Sequence, residues 1–292
     1  MSRQNAKNQF FVSDLHGSIE RYQKLFEAIR AECPCGVFLG GDLFPSALIS
    51  RDGPEGGKKD FLNDIMADGF LALRRDLGEK FPRVFLILGN DDLRLEEAAV
   101  LDAAARGAWE YIHNRRTVFG NHNIYGYACV PPSPFRLKDW ERYDVSRYVD
   151  PGCVSPEEGA HSIPVTPREL RYSTIQKDLE QLVAQDDLRR ALMLFHSPPY
   201  QTKLDRAALD GKMIDYVPLD VHIGSIAIKR LIEARQPAIT LHGHVHESAR
   251  LTGEWKERIG ATWCFSAAHD GPELSLIRFS IEHPEMATRT LI

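Results

Sequence analysis

Five short apolar stretches of this chain each end at a polar segment, and this order constrains the fold more than any other feature. The polar segments lie at 13–17, 40–42, 89–92, 195–197 and 241–246. The apolar stretches have the length of buried strands. In open α/β sheets, the loops after the strands project polar groups at one edge. We therefore expect these segments to converge on one site.

Strands and helices alternate through the first third of the sequence. Apolar residues within 19–31 recur at the spacing of three and four that is typical of an amphipathic helix. Helices are expected at 19–31 and about 60–77, between strands at 10–12, 37–39 and 84–88. This βαβαβ order predicts a largely parallel sheet.

The same pattern returns late in the chain. Strands are expected at 191–195 and 238–241, with a helix at 225–234 between them. Apolar stretches at 262–267 and 274–281 are separated by Asp270-Gly271-Pro272, which has the composition of a turn. We expect these two stretches to form a β-hairpin that extends a second sheet.

The segment from about 129 to 170 interrupts this regularity. Repeated prolines break the periodicity, while Trp140, Tyr143 and Tyr148 supply aromatic surface. A long irregular segment inside a compact domain is usually functional or disordered. Because it carries aromatic residues, we expect an ordered cap or a subunit contact within one domain spanning 1–292.

Composition narrows the class of protein. The 292 residues are 43% hydrophobic and carry a net charge of -5, without a long basic face. This argues against nucleic acid as a partner. The first ten residues lack an apolar leader-type run, and no stretch approaches the roughly 18 apolar residues of a membrane span. We expect a cytoplasmic protein that does not bind a membrane, and a homo-oligomer remains open.

The five cysteines do not have the paired spacing of a zinc ribbon. Cys33-Pro34-Cys35 follows a predicted helix and precedes a predicted strand. We interpret this tripeptide as a turn with reduced thiols, rather than as a redox or metal motif.

The polar segments contain the residue types that bind hard metal ions. Asp14 and His16 alternate with Leu15, so an extended backbone would direct both polar side chains to one side. Asp42 follows two glycines, which permit a sharp turn and a close approach to an ion. Asn90 is compatible with an Asx-turn, but its amide oxygen can also coordinate a cation without adding charge.

Three histidines in 242–246 are the strongest local signal. In an extended segment His244 and His246 would project to one face, after a glycine that removes steric obstruction. His242 lies nearer the apolar strand, and we expect it to be a hydrogen-bonded core residue behind the ligands.

The ordered set Asp-x-His, Gly-Asp, Gly-Asn, His and Gly-His-x-His resembles the calcineurin-like metallophosphoesterase superfamily, from Asp14 to His246. The resemblance implies a four-layer αββα sandwich with two mixed central β-sheets. It implies that one metal is bound by Asp14, His16 and His246, the other by Asn90, His196 and His244, and that Asp42 bridges them.

Such a site would cleave a phosphomonoester or a phosphodiester. Two divalent ions roughly 3.5 to 4 Å apart polarise phosphoryl oxygens and lower the pKa of a bridging water, so that hydroxide attacks phosphorus in line. The mixture of imidazole, carboxylate and amide ligands suits Mn, Fe, Zn or Ni. We expect a small phosphorylated substrate, with a nucleotide as one candidate.

The third segment departs from the family pattern. Gly-Asn-His is usual there, but this chain has Gly89-Asn90-Asp91-Asp92. Asp91 therefore stands where the family places the histidine that protonates the leaving group. Three interpretations remain open: Asp91 has a raised pKa and is the catalytic acid, it holds a water or a third cation, or the substrate needs no acid.

A second, narrower resemblance is to prokaryotic Icc-like phosphohydrolases. It is carried by four segments: His196-Ser197-Pro198-Pro199-Tyr200, Leu204-Asp205, His222-Ile223-Gly224-Ser225 and His244-Val245-His246-Glu247-Ser248. Ser225 is expected to be the N-cap of a helix. The exposed N–H groups at the start of that helix could also bind a phosphate. His222 and Tyr200 are candidates for a groove.

Two other functions compete with hydrolysis. Some members of the superfamily have become silent binding scaffolds by losing metal ligands, whereas all seven ligand positions are filled here. A nuclease would need a basic groove, of which the sequence gives no sign. A dimetal phosphohydrolase is the favoured prediction.

Overall fold

The structure, a computed structural model, describes residues 8–46 and 60–292. The beginning of the amino-terminal stretch considered above lies outside them. The strands are β1 (Gln9–Val12), β2 (Gly36–Gly40), β3 (Arg83–Ile87), β4 (Glu110–Tyr111), β5 (Arg115–Phe119), β6 (His122–Tyr127), β7 (Ala191–Phe195), β8 (Met213–Ile214), β9 (Val217–Pro218), β10 (Ile239–His242), β11 (Lys256–Ile259), β12 (Thr262–Ser266), β13 (Ser275–Phe279) and β14 (Thr288–Leu291).

The α-helices alternate with these strands. They are α1 (Ile19–Glu32), α2 (Asp68–Leu77), α3 (Glu97–Ala105), α4 (Pro167–Tyr172), α5 (Ile175–Val183), α6 (Ile226–Arg235) and α7 (Ser248–Thr252). A π-helical stretch, Phe61–Ala67, runs directly into α2, so the helix predicted at about 60–77 has two parts. Among the described residues, no helix is long and apolar enough to cross a membrane.

Two six-stranded mixed sheets form the centre of the molecule. Their strand orders are β14-β13-β1-β2-β3-β4 and β11-β12-β10-β7-β6-β5. β1, β2 and β3 are parallel, as the sequence predicts, and the unpredicted β4 continues this arrangement. In the second sheet β6, β7, β10 and β12 are parallel. The predicted site residues follow the carboxyl ends of β1, β2, β3, β7 and β10.

The sheets stack through aromatic side chains. Phe38 and Phe279 of the first sheet contact Phe119 and Phe265 of the second, with ring centroids 5.9 to 6.4 Å apart. Helices cover the outer faces, where α1 buries an apolar stripe that includes Phe26. The result is the predicted four-layer sandwich.

The carboxyl end of α1 confirms the predicted turn at Cys33-Pro34-Cys35. Cys33 adopts a left-handed conformation and donates its N–H to the carbonyl of Ile29 at 2.9 Å. All five cysteines are free. The sharp turn leads directly into β2.

The predicted hairpin at 262–267 and 274–281 is wrong. β12 lies in the second sheet beside β10, whereas β13 crosses to the first sheet and pairs antiparallel with β1. Both strands are largely buried, so their apolar pattern fits either sheet equally well. Asp270-Gly271-Pro272 lies in the connection between sheets, where Arg21 donates hydrogen bonds to the carbonyls of Gly271 and Pro272.

The segment 129–170 is tied to the body by buried polar groups. Lys138 and Glu141 form an ion pair whose side chains are fully buried. Asp139 accepts hydrogen bonds from the N–H of Arg94 and from both the N–H and hydroxyl of Ser162. These contacts agree with an ordered segment, and its role as a cap or subunit contact stays a prediction.

The same segment also caps α6. Asp144 accepts hydrogen bonds from the Ser225 hydroxyl at 2.6 Å and from the N–H groups of Ile226 at 2.6 Å and Ala227 at 3.2 Å. Ser225 accepts from the N–H of Ile228, which confirms its prediction as the N-cap. A phosphate at this helix terminus would have to displace the Asp144 carboxylate, so we discard that interpretation.

We expect Asp144→Ala to lower the free energy of unfolding by about 1–2 kcal/mol, because it removes a cap from the first turn of α6. Urea denaturation measures this. Asp187→Ala is the matched control, since Asp187 is exposed and, among the described residues, its carboxylate bonds only Arg189. Equal stability losses in the two variants would contradict a capping role for Asp144.

Candidate metal centre

The segment that carries Asp14 and His16 is a strained turn, not the extended backbone that the alternation suggested. Both residues have positive φ, 57° for Asp14 and 46° for His16. The turn lies along 41–43: its N–H groups donate to the carbonyls of Gly41, Asp42 and Leu43 at 2.8 to 3.0 Å. The two side chains reach one site because the backbone curls, and Leu15 between them is fully buried.

The histidine segment departs from extended backbone in the same way. His244 has a φ of 75°, and Val245 donates its N–H to the carbonyl of Gly243. His244 N–H donates to Asp14 Oδ1 at 3.0 Å. A side chain at Gly243 would collide with Ser13 and Asp14, since a Cβ would lie 2.0 Å from Ser13 Oγ. This glycine therefore allows the two segments to meet.

Four of the predicted ligands form a compact group: Asp14, His16, Asp42 and His246. One ligand atom from each lies within 4.8 Å of the others. His246 Nε2 is 3.1 Å from His16 Nε2 and 3.2 Å from Asp14 Oδ1. Imidazole nitrogens and carboxylate oxygens that converge in this way suit a divalent ion.

The other predicted ligands gather around His196. His196 Nε2 is 3.1 Å from Asn90 Oδ1, while its Nδ1 bonds the carbonyl of Gly40 at 2.7 Å. That bond fixes the ring with Nε2 toward the site. The ring of His244 packs edge-on against His196, with centroids 5.2 Å apart. Asn90, His196 and His244 thus form a second group.

Asp42 joins the two groups. Its Oδ2 lies 3.3 Å from His196 Nε2 and 3.9 Å from His16 Nε2, and its Oδ1 accepts the N–H of Asp91 at 2.8 Å. A Cβ at Gly89 would lie 2.2 Å from Asp42 Oδ1, so only glycine permits this approach. The carboxylate therefore lies close to a histidine of each group.

The histidines and aspartates of the site shift one another's pKa. Burial opposes ionisation, but the carboxylates of Asp91, Asp42 and Asp14 raise the pKa of His16 to about 9. Burial also acts to lower the pKa of His196, but the nearby carboxylate of Asp42 raises that pKa to about 9. Burial acts to raise the pKa of Asp42, but His196 lowers that pKa to about 2. Positive charge stabilises these carboxylates, as a metal cation would.

One buried atom directly favours a metal at this site. Asp14 Oδ2 has no hydrogen-bond partner among the described residues, although it is buried. Leaving a buried carboxylate oxygen unsatisfied is costly. Coordination of a cation by this oxygen would remove that cost, so the donor set fits the group that the sequence implies.

The Asp91 carboxylate lies beside one of the predicted ligands, His16. Its Oδ2 lies 3.5 Å from His16 Nδ1, on the opposite side of the ring from the Nε2 that faces the site. A carboxylate behind a metal-binding histidine orients the ring and fixes its tautomer. This contact gives Asp91 a structural relation to His16 that the sequence did not indicate.

Asp92 is a positioning residue that the sequence analysis missed. Its fully buried carboxylate accepts the N–H groups of Leu43, Phe44 and Gly89 at 2.8 to 3.2 Å. It thereby ties the loop that carries Asp42 to the loop that carries Asn90. Two adjacent acidic residues were visible in the sequence, but nothing in their order distinguished the buried one from the partly exposed one.

His242 is a core residue, as predicted. It is fully buried, and its ring nitrogens lie 2.9 Å from the Ser197 carbonyl oxygen and 2.7 Å from Thr240 Oγ1. Burial lowers the pKa of His242 to about 4, so the ring is neutral at pH 7. Its contact with Ser197 supports the backbone immediately after His196.

Comparison with known proteins agrees with this architecture. The family model described as calcineurin-like phosphoesterase matches residues 10–248. The chain belongs to this family. This confirms the superfamily resemblance, and the match includes all seven residues predicted to bind metal. The comparison with curated proteins gives no match.

Solved structures of the calcineurin-like phosphoesterase fold resemble this chain over nearly its whole length. TT1561 of Thermus thermophilus is 17% identical, with a TM-score of 0.55 and coverage of 98% of this chain and 99% of that chain. A dimetal phosphatase from Danio rerio is 10% identical, with a TM-score of 0.51 and coverage of 93% and 92%. At these identities the likeness establishes the shared fold.

We expect the metal-free protein to bind two Mn²⁺ ions per chain. His246→Ala and His244→Ala should each retain one ion, because each removes a ligand from a different group, and Asp42→Asn should weaken both sites. Calorimetric titration with Mn²⁺ measures the stoichiometry. The control is His283→Ala, at an exposed position where the ring forms an ion pair with Glu285. Two undiminished sites in His246→Ala would refute the assignment.

Proposed function

We propose that the chain is a phosphohydrolase that cleaves a phosphomonoester or a phosphodiester with two bound metal ions. The observation that carries this proposal is the position of Asp42 Oδ2 between His196 Nε2 and His16 Nε2. A carboxylate shared by two ligand groups is what a dinuclear site requires, whereas a single-ion site needs only one of the groups. The proposed ligands are Asp14, His16 and His246 for one ion, Asn90, His196 and His244 for the other, and Asp42 for both.

When bound, two such ions polarise the phosphoryl oxygens and activate water for attack at phosphorus. The chain supplies the ligands and holds them in place: Asp92 joins two loops, and the Gly40 carbonyl orients His196. The proposed metals are Mn, Fe, Zn or Ni, in keeping with the mixed nitrogen and oxygen donors.

The proposed substrate is a small phosphorylated molecule, with a nucleotide as a candidate class. Membership of a phosphoesterase family supports this proposal, and so does the description of a structural neighbour as a dimetal phosphatase. The net charge of -5 gives little attraction for long nucleic acids.

Asp91 is proposed to orient His16 rather than to donate a proton. The 3.5 Å contact with His16 Nδ1 supports this role, because an oriented and more basic imidazole binds metal more tightly. Proton donation to the leaving group then needs another residue or a substrate whose leaving group departs unprotonated.

We expect Mn²⁺-reconstituted protein to hydrolyse bis-p-nitrophenyl phosphate, and Asp42→Asn to abolish this activity. The variant keeps the size of the side chain but loses the charge that both groups share. Release of p-nitrophenol measures the rate, and His283→Asn is the control. A protein that binds two Mn²⁺ ions but hydrolyses neither this diester nor p-nitrophenyl phosphate would instead be the silent binding scaffold.

We expect Asp91→Ala to weaken Mn²⁺ binding by about 10–100-fold, the usual effect of losing the group that orients a metal ligand. Asp91→Asn, which keeps an oxygen near His16 Nδ1, should lose less. Calorimetry gives the affinities, and rates at saturating Mn²⁺ with phenols of different pKa test the acid role. If Asp91→Ala makes the dependence on leaving-group pKa steeper while Mn²⁺ affinity is unchanged, Asp91 is the acid and our assignment fails.

A further inference from the structure

The segment from Ser197 to Gly224, here called the return loop, connects His196 to α6 and has no role in the proposed metal site. Its two ends are joined at the base. Ser225 N–H donates to the Pro198 carbonyl at 2.8 Å, and Tyr200 N–H donates to the Ser225 carbonyl at 3.0 Å. The loop is therefore closed into a defined unit that starts beside a predicted ligand.

A buried carboxylate organises this loop. Asp205 is fully buried and accepts the N–H groups of Gln201 at 2.9 Å, Thr202 at 2.8 Å and Gly224 at 3.2 Å. Its Oδ1 also lies 2.8 Å from Nδ1 of His222. A buried carboxylate is costly unless it is hydrogen-bonded, and here both ends of the loop satisfy it.

His222 is held by this carboxylate while part of its ring stays accessible. The side chain is 27% exposed, and no described residue forms a hydrogen bond with Nε2. The rings of Tyr200 and His222 are T-shaped to one another, with centroids 6.2 Å apart, and the Tyr200 hydroxyl donates to Asp220. A carboxylate on Nδ1 fixes the tautomer and the orientation of an imidazole, so Nε2 is the ring nitrogen left to contact a substrate.

The return loop links two of the predicted ligand segments. Pro198, at its base, is two residues after His196, and Ala208 N–H donates to Glu247 Oε1 at 2.9 Å, one residue after His246. The chain carrying His222 runs beside this anchored stretch, because Ala207 N–H donates to the Val221 carbonyl at 2.8 Å. His222 thus belongs to a loop fastened to both groups of the centre.

We propose that His222, positioned by Asp205, donates the proton to the leaving-group oxygen of the phosphoester. This inference rests on the proposed function, and it supplies the donor that the position of Asp91 against His16 leaves unfilled. Asp205 is the positioning residue, since it acts only through His222.

The step balances in atoms and charge. Water-derived hydroxide adds to phosphorus as the bond from phosphorus to the leaving oxygen breaks. The electron pair of that bond stays on the leaving oxygen, which takes the proton from His222 Nε2 and departs as an alcohol or a phenol. The neutral imidazole, still bonded to Asp205, then takes a proton from solvent before the next turnover. No oxidant or other co-reactant is needed.

The test compares rates for a series of aryl phosphodiesters whose phenols differ in pKa, at saturating Mn²⁺. A general acid contributes about 10²–10⁴-fold, and most for poor leaving groups. We expect His222→Asn to lower the hydrolysis rate about 100-fold when the leaving group is the least acidic phenol, and much less when it is p-nitrophenol. The rate of the variant should therefore depend more steeply on the pKa of the leaving phenol. His283→Asn should keep the wild-type slope. An equal loss at every phenol would mean a merely structural role and would overturn the proposal.

A second measurement needs no turnover and tests the geometry. In metal-free protein labelled with ¹⁵N-histidine, we expect a His222 Nδ1 proton resonance shifted downfield by the bond to Asp205 and lost in Asp205→Asn. Its absence from folded wild-type protein would overturn the positioning role. If wild-type protein with Mn²⁺ cleaves no ester, the proposed function fails and the acid role with it. If it cleaves esters but His222→Asn keeps the wild-type slope, only the acid role fails.

Discussion

The carboxylate of Asp42 is the contact on which the rest of the site depends, because it is where the two sheets meet. Asp42 follows β2 in the first sheet, while His196 follows β7 in the second, and the two side chains approach to 3.3 Å. The junction is reinforced by backbone contacts: His196 Nδ1 bonds the Gly40 carbonyl, and Gly243 N–H donates to the His196 carbonyl. Each ligand group combines residues from both sheets, so the site exists only when the sandwich is assembled.

This assembly holds strained backbone in place. Asp14, His16, Asp42 and His244 all have positive φ, a region that is sparsely populated by residues other than glycine. Such conformations cost about 1–3 kcal/mol each and persist only where the surroundings impose them. Here the N–H groups of Asp14, His16 and Gly17 bond the backbone of 41–43, and the N–H of His244 bonds the Asp14 carboxylate. The strain falls on residues assigned to bind metal, which is where preorganisation matters most.

Much of the fold could be predicted because local signals and topology agree. Strands such as β2 and β7 are apolar, short and followed by polar residues, and parallel pairing brings their carboxyl ends together. The placement of β12 and β13 could not be predicted, since two stacked sheets bury both kinds of strand equally. The left-handed turns at Asp14 and His244 could not be predicted either, because they are imposed by neighbouring loops rather than by local sequence.

Contacts between distant polar residues were the hardest to predict from sequence. Asp144 caps a helix whose first residue is 82 positions away, and Asp91 contacts His16 across two motifs. Neither residue type nor spacing identifies such pairs, because every aspartate in a loop has similar local preferences.

The segment 129–170 is held beside the site by contacts of the same long-range kind. Asp139 holds the backbone of Arg94, just beyond the Gly89–Asp92 loop, and Asp144 holds the start of α6, just beyond His222. Both anchors are buried or nearly so, and buried hydrogen bonds to backbone N–H groups resist displacement. Through Asp139 and Asp144, the segment is therefore bonded directly beside both the loop that carries Asn90 and the loop that carries His222. These bonds make the irregular segment part of the architecture around the proposed site, because the loops that carry Asn90 and His222 share one support.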